Sequence, residues 1–182
     1  ITSEWKITNV PFENKFTDVT EKDWFHDVVL ELAASGVVNG MTETTFEPQG
    51  TLTRAEFATM LYRVSYAPVV TGESTYSDVK TGDWYYDAVV WATEAGVVNG
   101  MGDGTFAPND NITRQEMATM LYRLAKAEKV EEDKLASFPD AASVADWAKD
   151  AMNWAVSTEI VNGSTHDDKV NYLDPTATAL RC

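Results

Sequence analysis

Two tetrapeptides carry residues whose types and spacing could do chemistry: Thr53-Arg54-Ala55-Glu56 and Thr113-Arg114-Gln115-Glu116. T-x-x-E is a capping box, in which the Thr hydroxyl accepts from the N3 amide and the Glu carboxylate reaches back to the N-cap N–H. Capping therefore accounts for Thr53, Glu56, Thr113 and Glu116 as structural residues. It does not account for the arginines. A cation in the first turn sits at the positive end of the helix dipole, where it is mildly unfavourable. Arginine nevertheless recurs at positions 54, 114 and 181, and each recurrence asks for a counter-charge. That charge is either a carboxylate of the protein or an anionic ligand. Helix N-termini with free N–H groups favour anions, and a guanidinium adds a bidentate grip on a carboxylate. The residues alone leave both open.

The elements that hold these side chains come in copies. Residues 16–64 and 76–124 align without a gap at an offset of 60, with 24 identities in 49 positions. A weaker third copy opens at Phe138, matches Trp24 and Trp84 with Trp147, and Pro48 and Pro108 with Pro175, and carries four extra residues between Gly163 and Pro175. It stops at Cys182, where the other copies begin a helix. The expected segments are a lead-in at 1–15 and repeats at 16–64, 76–124 and 138–182, the last without its final helix.

Each copy predicts a helix from about Trp24, Trp84 or Trp147, capped by Asp23, Asp83 or Asp146. Trp24, Val28 and Leu32 lie at i, i+4, i+8 and predict one buried stripe. Gly36 and Gly96 follow as left-handed C′ residues, and Glu159 in that slot of copy three predicts either a different helix end or some strain. A second helix from Thr53 or Thr113 keeps Phe57, Met60, Leu61 and Val64, or Met117, Met120, Leu121 and Leu124, on one face. Of the linkers 65–75 and 125–137, the charged second one is expected to hold a short helix. The fold class is all-α with long ordered loops. A unit of about 50 residues is marginal alone, so the copies must pack on each other, as a linear stack or a closed pseudo-threefold.

Composition narrows the functions. The 182 residues have a formal charge of −15, 44% hydrophobic and 11% aromatic residues, too apolar for a disordered acidic tail and without the basic face a nucleic-acid binder needs. No apolar run approaches the ~18 residues of a membrane span. One cysteine, Cys182, excludes an internal disulfide, and two histidines, His26 and His166, leave little for metal chemistry. The loop Asn99–Gly104 lacks the alternating acids of an EF-hand, so neither metal nor cofactor is expected. Asp18, Asp78 and Asp140 recur like structural residues rather than as an unequal acid/base pair. With no nucleophile, zinc or phosphate-loop motif, the chain is not expected to be an enzyme. It begins at Ile1 and is expected to be a processed or excised piece.

The arrangement F/Y-x-D-V, D-W, G-V-V-N-G, a D-G-T-F-x-P-type loop and T-R-x-E resembles the S-layer homology (SLH) module over roughly 16–182. The resemblance implies a pseudo-trimer of three modules that anchors exported proteins at the bacterial cell surface. The implied ligand is a secondary cell-wall polysaccharide bearing ketal-linked pyruvate, whose carboxylate meets the T-R-A-E arginine in a groove between modules. By motif this falls on Arg54 and Arg114. Arg181 keeps the arginine position although Leu180 replaces the capping Thr. The candidate ligand set adds Gly40, Gly100 and Asp103 from the loops. Trp24 and Trp84 also join it, although the tryptophans, with Trp91, Trp147 and Trp154, fit a core role unless their rings are exposed. The competing expectation is an assembly scaffold of a surface layer that binds protein rather than glycan. Self-association through the incomplete third copy is the second expected partner interaction.

Overall fold

The computed structural model describes residues 13–182; residues 1–12 of the expected lead-in lie outside the described residues. The chain falls into two compact units, Ile1–Gly50 with Arg181–Cys182, and Thr51–Leu180. The first unit holds α1 (His26–Ala34); the second holds α2 (Arg54–Val64), α3 (Tyr86–Glu94), α4 (Arg114–Ala125), α5 (Lys149–Ser157) and a small antiparallel hairpin of β1 (Ser164–Thr165) and β2 (Asn171–Tyr172). The mostly helical fold class is as the sequence predicts. The hairpin occupies the four-residue expansion of copy three.

Helices α2 and α4 begin where the capping boxes place them, with both reciprocal bonds formed at Thr53/Glu56 and Thr113/Glu116. The first helices do not. α1 and α3 start at His26 and Tyr86, two residues after the tryptophans, without a side-chain cap. Asp23 and Asp83 instead accept from the backbone N–H of Thr20 and Lys80, at 2.6 and 2.7 Å. An acid consumed by the turn before it cannot cap the turn after it. Asp146 opens a 3₁₀ turn (Asp146–Ala148) and pairs with Lys149 Nζ at 2.6 Å. The later start also shifts the buried face by one position. Phe25 and Val29 are buried, whereas Trp24 is 80% and Val28 54% exposed, so the expected Trp24–Val28–Leu32 stripe is not the core face.

The linker after α4 is not helical over 127–134, and the expected short helix is a single 3₁₀ turn at its end, Leu135–Ser137. Lys126 turns left-handed at φ 48°, and the buried Asn153 side chain of α5 accepts from Lys134 N–H and donates to the carbonyls of Val130 and Glu132. Three of the linker's peptide groups, at Val130, Glu132 and Lys134, are thus spent on Asn153.

Within the second unit, α3 packs on α2 and α5 on α4, so the second helix of one copy closes on the first helix of the next. One core joins Leu52, Ala55, Phe57 and Leu61 of copy one to Val89, Val97, Phe106 and Ile112 of copy two; another sets Ala118 against Met152, Leu173 and Val161 of copy three. At its centre lies a ring of three backbone bonds. Ile112 N–H donates to Leu52 O (2.8 Å), Leu52 N–H to Ala179 O (3.0 Å), and Ala179 N–H to Ile112 O (2.8 Å). The three residues come from the three copies, all are buried, and antiparallel bridges flank them at Thr53–Asn111 and Thr113–Thr178.

The recurring aspartates are loop clamps, as their repetition suggests. Asp18 accepts from Phe46 and Glu47 N–H, Asp78 from Phe106 and Ala107, and Asp140 from Leu173 and Asp174, all at 2.7–2.9 Å. The second residue of each pair is left-handed without being glycine, at φ 59°, 56° and 49°. Two charge-assisted bonds per loop hold a conformation that L-residues otherwise avoid.

Gly36 and Gly96 have the expected positive φ, and Glu159 takes the same conformation at φ 60°. Glu159→Gly is expected to raise unfolding stability by roughly 0.5–1 kcal/mol, relief of left-handed strain being partly offset by a freer unfolded chain; a urea melt measures it. Burial pushes the Asp18 carboxyl up, but the N–H groups of Phe46 and Glu47, its own N–H and the charge of Arg181 outweigh that and hold it below its ordinary value. Its contribution is complete above the unfolded value, about pH 4, and is lost as pH falls through the lowered folded value. Unfolding followed from pH 6 to pH 2 should show an acid decline that Asp18→Asn makes shallower, at the expense of stability at neutral pH.

Candidate functional site

The three arginines share one anchoring bond. Arg54 Nε donates to Phe106 O, Arg114 Nε to Leu173 O and Arg181 Nε to Phe46 O, each at 2.9 Å. In every case the acceptor is the clamped loop of another copy: copy one reaches copy two, copy two reaches copy three, and Arg181 reaches copy one. The Arg54 and Arg181 guanidiniums also lie over the rings of Phe106 and Phe46, at 5.0 and 4.7 Å; Leu173 offers Arg114 no ring.

The helix N-termini are not open for anions. Arg54 and Ala55 N–H donate to the carbonyls of Asp110 and Pro108, and Arg114 and Gln115 N–H to those of Ala177 and Pro175, at 2.9–3.0 Å. This corrects the expectation of free first-turn N–H groups: the following copy's loop supplies oxygens for them.

For Arg54 the counter-charge is in the protein. Its Nη1 meets Glu116 Oε1 at 2.6 Å, and the Arg54 side chain is 7% exposed. Glu116 has two duties, since its other oxygen accepts from the N–H (2.8 Å) and hydroxyl (2.7 Å) of Thr113. The carboxylate that caps α4 therefore also neutralises the arginine of the preceding copy. Arg114 forms no ion pair among the described residues. Arg181 Nη2 donates to Asn39 O at 2.9 Å.

Beside Arg54 opens a groove of about 430 Å³, walled by the loop Asn99–Gly102 and by Glu116, Thr119 and Arg123 of α4, with Trp147 of copy three on its rim. That volume falls within the range of small-molecule sites, roughly 300–1,000 Å³. All three copies contribute to it. Arg54 and Glu116 pair with each other, and Arg123 adds a second guanidinium to the lining. Burial lowers the Arg123 pKa, but a guanidinium remains cationic at neutral pH. Trp147 is 57% exposed, an aromatic face open to a ligand.

Of the predicted residues, Arg54 and Gly100 line this groove, and Gly40, Asp103, Trp24, Trp84, Arg114 and Arg181 do not. Gly40 lies in the first unit, where a Cβ would stand 2.6 Å from the Phe16 ring; its smallness serves packing. The Asp103 carboxylate accepts from the Thr105 hydroxyl and N–H, which hold its pKa down. Trp24 and Trp84 are exposed rather than core, each edge-on to the next ring, Phe25 or Tyr85. Trp91 and Trp154 do pack against the cores. Arg123 and Trp147 were missed as ligand candidates. The signals were present in the Tyr-Arg pair shared by 62–63 and 122–123 and in the Asp-Trp pair of all three copies. No cluster of three or more metal-ligating side chains and no helix long and apolar enough to cross a membrane occurs among the described residues.

The S-layer homology domain model matches residues 15–58, 75–118 and 137–167, the third match being the shortest. These segments make up well over half of the chain, which belongs to the S-layer homology domain family. An amylopullulanase of Thermoanaerobacterium thermosulfurigenes is 37% identical over 93% of the chain and 9% of its own length. An exoglucanase of Acetivibrio thermocellus is 38% identical over 81% of the chain and 14% of its length. The surface-layer 125 kDa protein of Lysinibacillus sphaericus is 35% identical over 85% of the chain and 13% of its length. The chain thus spans about a tenth of the length of these relatives. The S-layer homology domain is a non-catalytic module for cell-wall anchoring, and the family with its surface-layer relatives places the chain at the cell surface.

Removing one side of the Arg54–Glu116 pair strands the other charge in a largely dry setting. Arg54→Ala should cost roughly 2–4 kcal/mol of unfolding free energy. Combined with Glu116→Gln, the loss should be clearly less than additive, as chemical denaturation of the four proteins of the cycle would show.

Proposed function

We propose that this chain tethers the protein that carries it to the wall by holding a pyruvylated secondary cell-wall polysaccharide in inter-repeat grooves, with the T-x-x-E arginine at the floor of each. The observation that carries this is the combination, in one groove, of a guanidinium-lined wall with the exposed indole of Trp147. A sugar ring presents C–H faces that suit an aromatic surface, and a ketal-linked pyruvate presents one carboxylate that suits a guanidinium. Neither partner alone uses both features. At a net charge of −15 the protein repels polyanions at long range, so attachment depends on short-range contacts to the guanidiniums of this groove and responds to salt.

The test is retention of the purified chain on wall polysaccharide before and after mild-acid removal of the pyruvate ketals. Affinity should fall about tenfold or more on ketal removal, the size of one lost charge-assisted contact. Trp147→Ala should weaken binding to the untreated polymer by a comparable factor without lowering the melting temperature, because the ring is exposed. Undiminished binding after ketal removal would sink the carboxylate reading. Concentration-dependent sedimentation without glycan binding would put the assembly scaffold in its place.

A further inference from the structure

The exposed tryptophans Trp24, Trp84 and Trp147 are held in two different ways. In copies one and two the turn before the indole closes locally, because Asp23 and Asp83 accept from the N–H groups of Thr20 and Lys80. The indole then leans edge-on against the next residue's ring, Phe25 or Tyr85, with centroids 5.5 and 5.1 Å apart. Neither support occurs in copy three among the described residues. Asp146 is turned to Lys149 Nζ at 2.6 Å, and the residue after Trp147 is the buried Ala148, which offers no ring. What reaches this segment comes from copy two. Gln115, in the first turn of α4, accepts through Oε1 from the Ala145 N–H at 3.0 Å, two residues before Trp147. Gln115 is 7% exposed, and its backbone is pinned, N–H to Pro175 O and carbonyl to the Thr119 hydroxyl. Copy one carries Ala55 at the matching position, too short for such a bond, at the junction where Trp84 has its own local supports.

We infer that Gln115 is a positioning residue for the ligand: by tying the turn before Trp147 to α4, it holds the indole at the groove that α4 walls. This rests on the reading of that groove as a sugar site. Thr119, one turn along from Gln115, lines the groove, so the bond joins the aromatic rim to the helix that carries the polar wall. The spacing of rim and wall is then set before a sugar arrives. An indole free to swing has to be immobilised on binding, which lowers affinity. The alternative is a merely structural bond between copies two and three, which would change stability and leave the indole and the sugar affinity alone.

Two substitutions remove the bond from opposite sides. Gln115→Met keeps the length of the side chain and loses the acceptor. Ala145→Pro loses the donor at a backbone that suits proline, since φ is −62° at Ala145 and Val144 before it is extended. With 5-fluorotryptophan incorporated, the fluorine resonance that Trp147→Phe removes should shift or broaden in both variants. Those assigned in the same way to the packed Trp91 and Trp154 should stay in place. Calorimetric binding of the untreated wall polysaccharide should weaken about fivefold in each variant. In a Trp147→Ala background the same substitutions should leave affinity within about twofold, because the residue they act through is gone. If Gln115→Met melts early, Ala145→Pro carries the test. A Trp147 resonance unmoved in both variants, or the same loss of affinity with and without the indole, would overturn the assignment. A Trp147→Ala chain that binds as tightly as the unaltered one would instead fail the groove reading, and the assignment with it.

Discussion

Three peptide groups, at Leu52, Ile112 and Ala179, each donate one hydrogen bond and accept one from the next, and the rest of the second unit is arranged around that ring. The ring sits in apolar surroundings, where an unmet peptide group costs about 1–3 kcal/mol. It is therefore satisfied as a whole or not at all, since withdrawing any one segment orphans a donor on one neighbour and an acceptor on the other. Its effect propagates outwards through the chain. Leu52 and Ile112 immediately precede the caps Thr53 and Thr113, so fixing the ring fixes where α2 and α4 start. That in turn aims their first N–H groups at the loop carbonyls of the following copy and brings Arg54 to Phe106 O and Glu116.

The Arg54–Glu116 pair gains little from Coulomb attraction once desolvation is counted. Its value lies in orientation, because a bidentate capping carboxylate and a stacked guanidinium leave one arrangement open.

Much of this was legible in the residues. The capping boxes and the glycine C′ positions are short-range devices whose partners lie within a few residues, and the aspartates at 18, 78 and 140 show themselves by recurring once per copy, although the N–H groups they accept from lie 28 to 34 residues further on. The left-handed Glu159 settles the choice, open in the sequence, between a different helix end and a strained one. What escaped has a common cause. The backbone ring has no sequence signature, because any residue supplies the same N–H and C=O. The first-helix starts were misplaced because Asp23 and Asp83 have two competing uses, and the preceding turn claims them. That error moved the core face by one position and hid the exposure of Trp24, Trp84 and Trp147. The groove was only half visible because its parts come from three copies, and Trp147 joins Arg123 and Arg54 only after the chain has folded back across more than ninety positions.

The displacement of arginine from its partner carries a lesson about inheritance. The duplicated stretch of sequence ends after its second helix, but the arginine of copy one finds its carboxylate in copy two, so the working unit is a junction, offset by half a period from the stretch that was copied. A single copy moved by recombination would arrive with an arginine lacking its acid and an acid lacking its arginine. Selection on such a gene acts on adjacent pairs, and a change in one copy's loop is answerable to the helix of the copy before it.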